Sequence, residues 1–305
     1  MTQQDLQTKA TIGEKLREDA PQFLADVTQK LEVLNTGNDA LTTNESFWLR
    51  TYLAEMHTGL DLIAPHLKPG MRVLEIGAGI GALGHFLDSH GIDIAGLEPQ
   101  GGGFDMMAKF GKRMCEVCAD ISGFTAQDKT CEALNPQTDG QFDLIFSVHV
   151  MEHLADPKTA MAAMNSVLKP GGKMVHLCPN YQFPYDPHFF VPIVFWSPRL
   201  TKFLFKSKIR KDLDLWGSLN FITSHQVRQM AQDNALGVSF KKGVMAAFFK
   251  RLKSDTVFKE RHKGLVAKCA GLVARTPLVH VLGALPICMT SPMIFTLNKS
   301  QETGD

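Results

Sequence analysis

Acidic and basic residues nearly cancel in this chain: 32 lysines and arginines stand against 31 aspartates and glutamates, a net charge of +1 over 305 residues. No global electrostatic grip on nucleic acid follows from that balance. Long hydrophobic runs are missing as well. Phe189 to Ser197 is too short to cross a bilayer, and Gly264 to Met289 is broken by Lys268, Arg275 and His280. Near the start, Asp5, Glu14, Glu18 and Asp19 interrupt anything resembling a secretory signal. The six cysteines, Cys115, Cys118, Cys131, Cys178, Cys269 and Cys288, form no disulfide framework. Cys115-x-x-Cys118 has no second pair and no nearby histidine to complete a zinc pattern, and in a predicted strand its two thiols face opposite ways. These absences lead to the expectation of a soluble, cytoplasmic, reduced protein, whose 44% hydrophobic content is enough for a proper core.

What is present centres on Val73-Leu74-Glu75-Ile76-Gly77-Ala78-Gly79-Ile80-Gly81-Ala82-Leu83-Gly84. An apolar run, an acid, a series of glycines and a resumed helical pattern predict strand, tight turn, helix. Bare backbone in the turn permits positive φ and close contact with a ligand chain. Gly79-x-Gly81-x-x-Gly84 satisfies a dinucleotide fingerprint, but Glu75 puts a fixed negative charge where a pyrophosphate has little use for one. A ligand carrying an ammonium group and a sulfonium would favour it.

Glu75-x-Gly77-x-Gly79-x-Gly81 resembles the first motif of class I S-adenosylmethionine (SAM) dependent methyltransferases. Membership implies an α/β fold with a doubly wound, seven-stranded sheet, mostly parallel, with strand seven antiparallel. The chain divides on this reading into an N-terminal helical cap, 1–66, and a SAM-dependent domain, 67–305, with insertions at about 181–222 and 252–289. Strand one is expected at Met71 to Ile76 and strand two at Ile92 to Leu97, ending at Glu98-Pro99. A carboxylate there is placed to accept from both ribose hydroxyls of a bound nucleoside. Gln100 and Gly101 to Gly103 then open the next helix. Strand three is expected at Met114 to Ala119, ending at Asp120-Ile121, where the family commonly meets the adenine amino group with an acid and the ring with an apolar neighbour. Gln141 to Ser147 reads as strand four, and Leu168-Lys-Pro-Gly-Gly172 matches the family turn before strand five, Lys173 to Cys178. Strands six and seven are expected at Val238 to Phe249 and Pro292 to Leu297, with a helical insertion between them. The cofactor set is therefore Glu75, Gly77, Ala78, Gly79, Gly81, Glu98, Pro99, Asp120, Ile121, Ser147 and Val148, and the implied cofactor is SAM.

Acceptor chemistry has to come from the residues outside this core. After strand four, His149, Glu152 and His153 share one face if helical. His149-x-x-Glu152-His153 also spells an inverted zinc-protease motif, an unsuitable reading in the middle of a SAM-site series. Ubiquinone-pathway O-methyltransferases carry Glu-x-x-Glu-His in this region, associated with a divalent cation. Here His149 replaces the first glutamate, which argues against magnesium, and no metal ligand is assigned. Methyl transfer needs alignment and, for a hydroxyl acceptor, a base. His149 and His153 are the first candidates and Tyr185 and His188 in the following loop the second, since an imidazole titrates near neutrality.

Pro179 to His188 is a proline-stiffened aromatic loop leaving a strand's carboxyl end, followed by a basic, aromatic run to Lys211. That run is open to three readings: an acceptor-site lid, a membrane-surface contact through about 189–211, or a helix with a charged face. The expected reaction is methyl transfer to a small or amphiphilic acceptor, at oxygen, with no nucleic acid partner, since the strand-four exit lacks the Asn/Asp-Pro-Pro-aromatic tetrad. An NAD-dependent oxidoreductase and a non-catalytic SAM-binding module are the alternatives.

Overall fold

The computed structural model describes residues 11–35, 40–100, 105–254, 271–273 and 276–301. Two helices lead, α1 (Ile12–Leu34) and α2 (Thr43–Ile63), each opened by a capping box, Thr11 with Glu14 and Thr42 with Glu45. The buried residues of α1 (Leu16, Phe23, Val27, Leu31) and of α2 (Leu49, Leu53, Met56, Leu60) recur every three to four positions. Both helices share one apolar core with the sheet behind them, through Val73, Phe86, Leu144 and Phe146. Hydrophobic burial at roughly 25 cal/mol per Å² makes such a shared face a main source of stability.

The chain then alternates: β1 (Arg72–Ile76), α3 (Ala82–Ser89), β2 (Asp93–Leu97), α4 (Asp105–Cys118), the short α5 (Pro136–Asp139), β3 (Phe142–Val148), α6 (Pro157–Ser166) and β4 (Leu168–Cys178). A two-stranded ribbon, β5 (Tyr185–Asp186) and β6 (Val191–Pro192), and three short helices, α7 (Pro198–Leu204), α8 (Lys206–Ile209) and α9 (Leu213–Ser218), form the insertion after β4. Helix α10 (Ser224–Asp233), β7 (Leu236–Phe240), α11 (Val244–Ser254), α12 (Leu278–Ala284) and β8 (Met293–Lys299) complete the described chain. The main sheet has six strands in the order β2-β1-β3-β4-β8-β7. Strands β2, β1, β3 and β4 run parallel, and β8 is antiparallel to both neighbours. The expected α/β architecture with a reversed last strand is therefore present. A second core on the opposite face joins α6 and α10 to the sheet through Ile145, Met161, Met164, Val227 and Phe295. Among the described residues, no helix is long and apolar enough to cross a membrane.

Three expectations are corrected. Met114 to Ala119 is the end of helix α4, not strand three. Phe110, Met114, Val117 and Cys118 are buried at helical spacing, a period that a five-residue window does not reveal. Cys115 and Cys118 thus lie one turn apart rather than on opposite strand faces, and burial pushes the Cys118 thiol up to about 12. The place beside β2 is held by one bridge, in which Gln127 pairs with Leu97 in parallel, so among the described residues the sheet carries six strands instead of seven. Finally, strand six stops at Phe240 and Gly243 turns the chain into α11, so that Val244 to Phe249 is helical. Within the 252–289 insertion, 255–270 and 274–275 lie outside the described residues, as do Cys269 and Gly101 to Gly103.

Gly84 gives a test of this packing. An added Cβ would meet the Phe124 ring at 2.3 Å. In an open helix Gly→Ala gains about 1 kcal/mol, whereas overpacking a filled site costs about 1–3 kcal/mol. Gly84→Ala is expected to destabilise in urea unfolding, and the Gly84→Ala/Phe124→Ala double variant to lose less than the two single losses combined.

Candidate active site

The carboxyl ends of the parallel strands lie on one edge of the sheet, and every group of interest leaves from there. After β1, the Gly77 and Ala78 N–H groups donate to the Leu97 carbonyl at 2.8 and 2.9 Å, tying the turn to the end of β2. Gly77, Gly79 and Gly81 hold φ of 71°, 55° and 77°, values that glycine alone adopts freely. A Cβ on Gly79 would point into open space, leaving bare backbone facing the cleft. The Gly79 N–H donates to Glu98 Oε2 at 2.7 Å. Glu75 is 7% exposed and its Oε2 lacks a hydrogen-bond partner. Burial first, and then Glu98, push its carboxyl well above the usual range. Burial raises Glu98 too, against the opposing Gly79 N–H. An orphaned carboxylate oxygen beside open glycine backbone fits a cationic amino-acid end of a ligand, and Glu98 fits vicinal hydroxyls.

A second cluster follows β3. His149 sits at φ 57°, a left-handed conformation rare for a non-glycine residue, held by its N–H donating to the Leu177 carbonyl at 2.8 Å. Glu152 is fully buried and neither side-chain oxygen has a hydrogen-bond partner. Its Oε1 lies 3.6 Å from His149 Nδ1 and 4.0 Å from His188 Nε2, beyond hydrogen-bond reach. Burial acts to raise the Glu152 carboxyl, but His149, His153 and His188 around it outweigh that and hold it below the ordinary value. His153 pairs through Nδ1 with Ser218 Oγ at 2.9 Å, and burial lowers its imidazole. His188 Nδ1 lies 3.1 Å from Asp186 Oδ2, which also accepts from the Tyr181 hydroxyl at 2.7 Å. One ring nitrogen of each is thus engaged by the insertion. The donor atoms of Glu152, His153 and His188 lie within 4.8 Å of one another and could hold a metal ion. The two clusters adjoin, because a Cβ on Gly77 would strike the Val150 side chain at 2.3 Å.

The other anticipated residues are distributed unevenly. Pro99 is exposed after Glu98, and Ala78 is buried in the turn. Ser147 is fully buried and pairs with His176 Nδ1 at 2.8 Å, while burial pushes the His176 imidazole down to about 3. Val148 is half-buried beside α2. Tyr185 is half-buried, and burial and Asp186 push its phenol up to about 12, which disfavours proton abstraction. Asp120 does not end a strand. It follows α4 on the surface, where Lys30 of α1 at 2.8 Å holds its carboxyl below the ordinary value, and its neighbour Ile121 is 43% exposed. The acid beside the end of β2 is instead Asp128, which accepts from the Gln100 N–H at 2.8 Å, next to Gln127, whose carbonyl accepts from the Glu98 N–H. Sequence reading also missed Asp186, Ser218 and Asn220. Asn220 Nδ2 donates to the Met151 and Leu154 carbonyls at 2.8 and 3.0 Å and fixes the histidine loop.

The buried Glu75 predicts a pH effect on the ligand-free protein. Its carboxyl titrates higher in the folded chain than the unfolded value of about 4.3. The stability it contributes is therefore full below that value and is lost as pH rises through the folded value. Glu75→Gln is expected to flatten this dependence and to raise the neutral-pH melting midpoint by a few degrees, read by calorimetry from pH 5 to 8.

Comparison with known proteins bears on the same edge. A family model described as a methyltransferase domain matches residues 48–241, well over half of the chain. An uncharacterised protein of Mycobacterium tuberculosis is 30% identical over 240 residues, which is 76% of this chain and 80% of its own. Ubiquinone biosynthesis O-methyltransferase of Cereibacter sphaeroides is 33% identical over 117 residues, 38% of this chain and 44% of that protein. In fold, the chain resembles phosphoethanolamine N-methyltransferase 2 of Haemonchus contortus, solved with S-adenosyl-L-methionine, at a TM-score of 0.50 and 15% identity over 81% of this chain and 53% of that one. A glycine turn with its two carboxylates thus sits in a matched domain, and the chain belongs to the class I S-adenosylmethionine-dependent methyltransferases.

Proposed function

We propose that this methyltransferase acts on an oxygen of a small amphiphilic acceptor, bound between the glycine turn and the 181–222 insertion. The observation that carries the reading is Glu152, a fully buried carboxylate ringed by His149, His153 and His188 beside the donor cradle. When bound, SAM supplies a methyl group on a sulfonium and leaves as a neutral thioether. Glu75 would pair with its ammonium end, Glu98 would accept from the ribose hydroxyls, and Gly77, Gly79 and Gly81 would let the backbone approach. Asp128 takes the adenine-side role first given to Asp120. His149 would take the acceptor's hydroxyl proton on an imidazole nitrogen. Glu152 steadies the resulting imidazolium. The oxidoreductase alternative is not favoured, since the domain that matches the chain is a methyltransferase domain.

One observation favours a second reading of the cluster. The closeness of the Glu152, His153 and His188 donor atoms, with Glu152 unpartnered, suits a divalent ion. Two imidazoles and one carboxylate fit a late first-row metal better than magnesium. Asp186 and Ser218 would orient the imidazoles, and the ion would polarise the acceptor oxygen.

Incubation with methyl-labelled SAM and fractionated metabolite and lipid extracts identifies the acceptor, and failure of label to enter any fraction counts for a non-catalytic module. With the acceptor in hand, His149→Ala is expected to lower kcat by about 10²- to 10⁴-fold with unchanged donor affinity in calorimetry. Tyr185→Phe should leave kcat near the parent value. Retained turnover in His149→Ala together with loss on chelation selects the metal reading. Glu98→Ala is expected to weaken SAM binding roughly tenfold or more.

A further inference from the structure

From Pro187 to Lys211 the chain carries six basic residues, Arg199, Lys202, Lys206, Lys208, Arg210 and Lys211, and no acidic one. With a whole-chain charge of +1, the remainder is net acidic, so the molecule is electrically polar. All six are exposed, and none forms an ion pair among the described residues. Asp212, the next acid, is occupied in capping the Leu215 N–H. Arg199, Lys202, Phe203 and Lys206 stand at i, i+3, i+4 and i+7 and line one concave patch with Ile209 and Leu213.

Large apolar side chains are exposed among these cations: Phe195 at 84%, Phe203 at 76%, Trp196 at 62% and Leu204 at 55%. The insertion does not lack a core to receive them, since Tyr181, Phe189, Val191, Trp216 and Leu219 are buried together beneath. Phe195 and Trp196 take φ of 48° and 53°, a left-handed conformation unfavourable for bulky residues. The Trp196 indole N–H donates to the Gln182 carbonyl at 3.0 Å, which fixes the ring at the surface. An exposed apolar cluster rimmed by unpaired cations marks an interaction surface.

We infer that this face docks the enzyme on an anionic lipid bilayer. The inference rests on the amphiphilic-acceptor reading and deepens it, since the insertion that contributes His188 to the cleft also carries the docking face. Aromatic and leucine side chains enter the headgroup boundary while the lysines reach anionic headgroups. Leu200, Leu204 and Leu213 distinguish this face from a nucleic-acid platform, where stacking uses aromatic rings and aliphatic side chains gain nothing.

The test uses the full chain with vesicles of phosphatidylcholine alone and of phosphatidylcholine with phosphatidylglycerol. The expected result is co-sedimentation with the anionic vesicles, a blue shift of Trp196 emission assigned by Trp196→Phe, and weakening as salt rises. Replacing Lys202, Lys206 and Lys208 by Gln should weaken binding roughly a hundredfold. Phe195→Ser/Phe203→Ser should also reduce it, with SAM affinity in calorimetry unchanged as the control for folding. Absence of binding to anionic vesicles, binding indifferent to both sets of substitutions, or binding to single-stranded RNA or an acidic protein in place of vesicles overturns the inference. Vesicle binding without any methyl transfer supports this surface and counts against the acceptor reading, so the two can fail separately.

Discussion

Burial of carboxyl oxygens without hydrogen-bond partners is the constraint around which this molecule is built. Glu75 ends β1 and Glu152 follows β3, the two strands at the middle of the parallel sheet, and both lack hydrogen bonds to side-chain oxygens that water does not reach. An uncompensated buried charge is costly, by several kcal/mol after relaxation. The two sites meet that cost differently. Glu75 has another acid for a neighbour and is driven towards the neutral form, whereas Glu152 has three imidazoles and stays below the ordinary range. A cationic ligand relieves the first. The second is suited to stabilise positive charge that arises during turnover or is carried by an ion.

Holding such groups open requires support from elsewhere in the chain. The loop after β3 has little regular structure of its own, yet Asn220 grips it through two backbone carbonyls and its own N–H donates to the Glu152 carbonyl at 2.9 Å. Ser218 and Asp186 set the rings of His153 and His188. The insertion is thus built into the histidine cluster rather than laid over it. Ser218 and Asn220 lie 65 and 69 residues from the groups they steady, and the same segment turns an apolar, cationic face outward.

Legibility in the sequence followed the range of the interactions. Strands β1, β2 and β3 could be read because buried parallel strands are continuous apolar runs ended by turn chemistry. The same is true of Glu75 and Glu98, whose positions are fixed by the strands they end. Met114 to Cys118 deceived because an apolar segment of that length fits a buried helix as well as a strand, and only Phe110, a turn earlier, exposes the period. Asp120, expected at the end of that strand, instead follows the helix on the surface. Ser218 and Asn220 were invisible for another reason, since their roles depend on contacts across 65 to 69 residues that no local pattern announces.

The reversal of β8 explains how the insertion is anchored. Because β8 is antiparallel to β4, its first residue, Met293, lies opposite Cys178 at the carboxyl edge where the insertion departs. The chain entering β8 is thereby brought against Asn180, the second residue after β4. Asn180 is fully buried: its N–H donates to Ser291 Oγ, its Nδ2 to the Ile287 and Thr290 carbonyls, and its Oδ1 accepts from the Gln182 and Ser224 N–H groups. One side chain therefore ties the end of β4, the start of α10 and the approach to β8 together. A parallel last strand would deliver its first residue to the opposite edge, and the root of the insertion would lose these acceptors. The antiparallel strand thus has a local consequence at the carboxyl edge: it braces the root of the insertion that carries His188 to within 4.0 Å of Glu152.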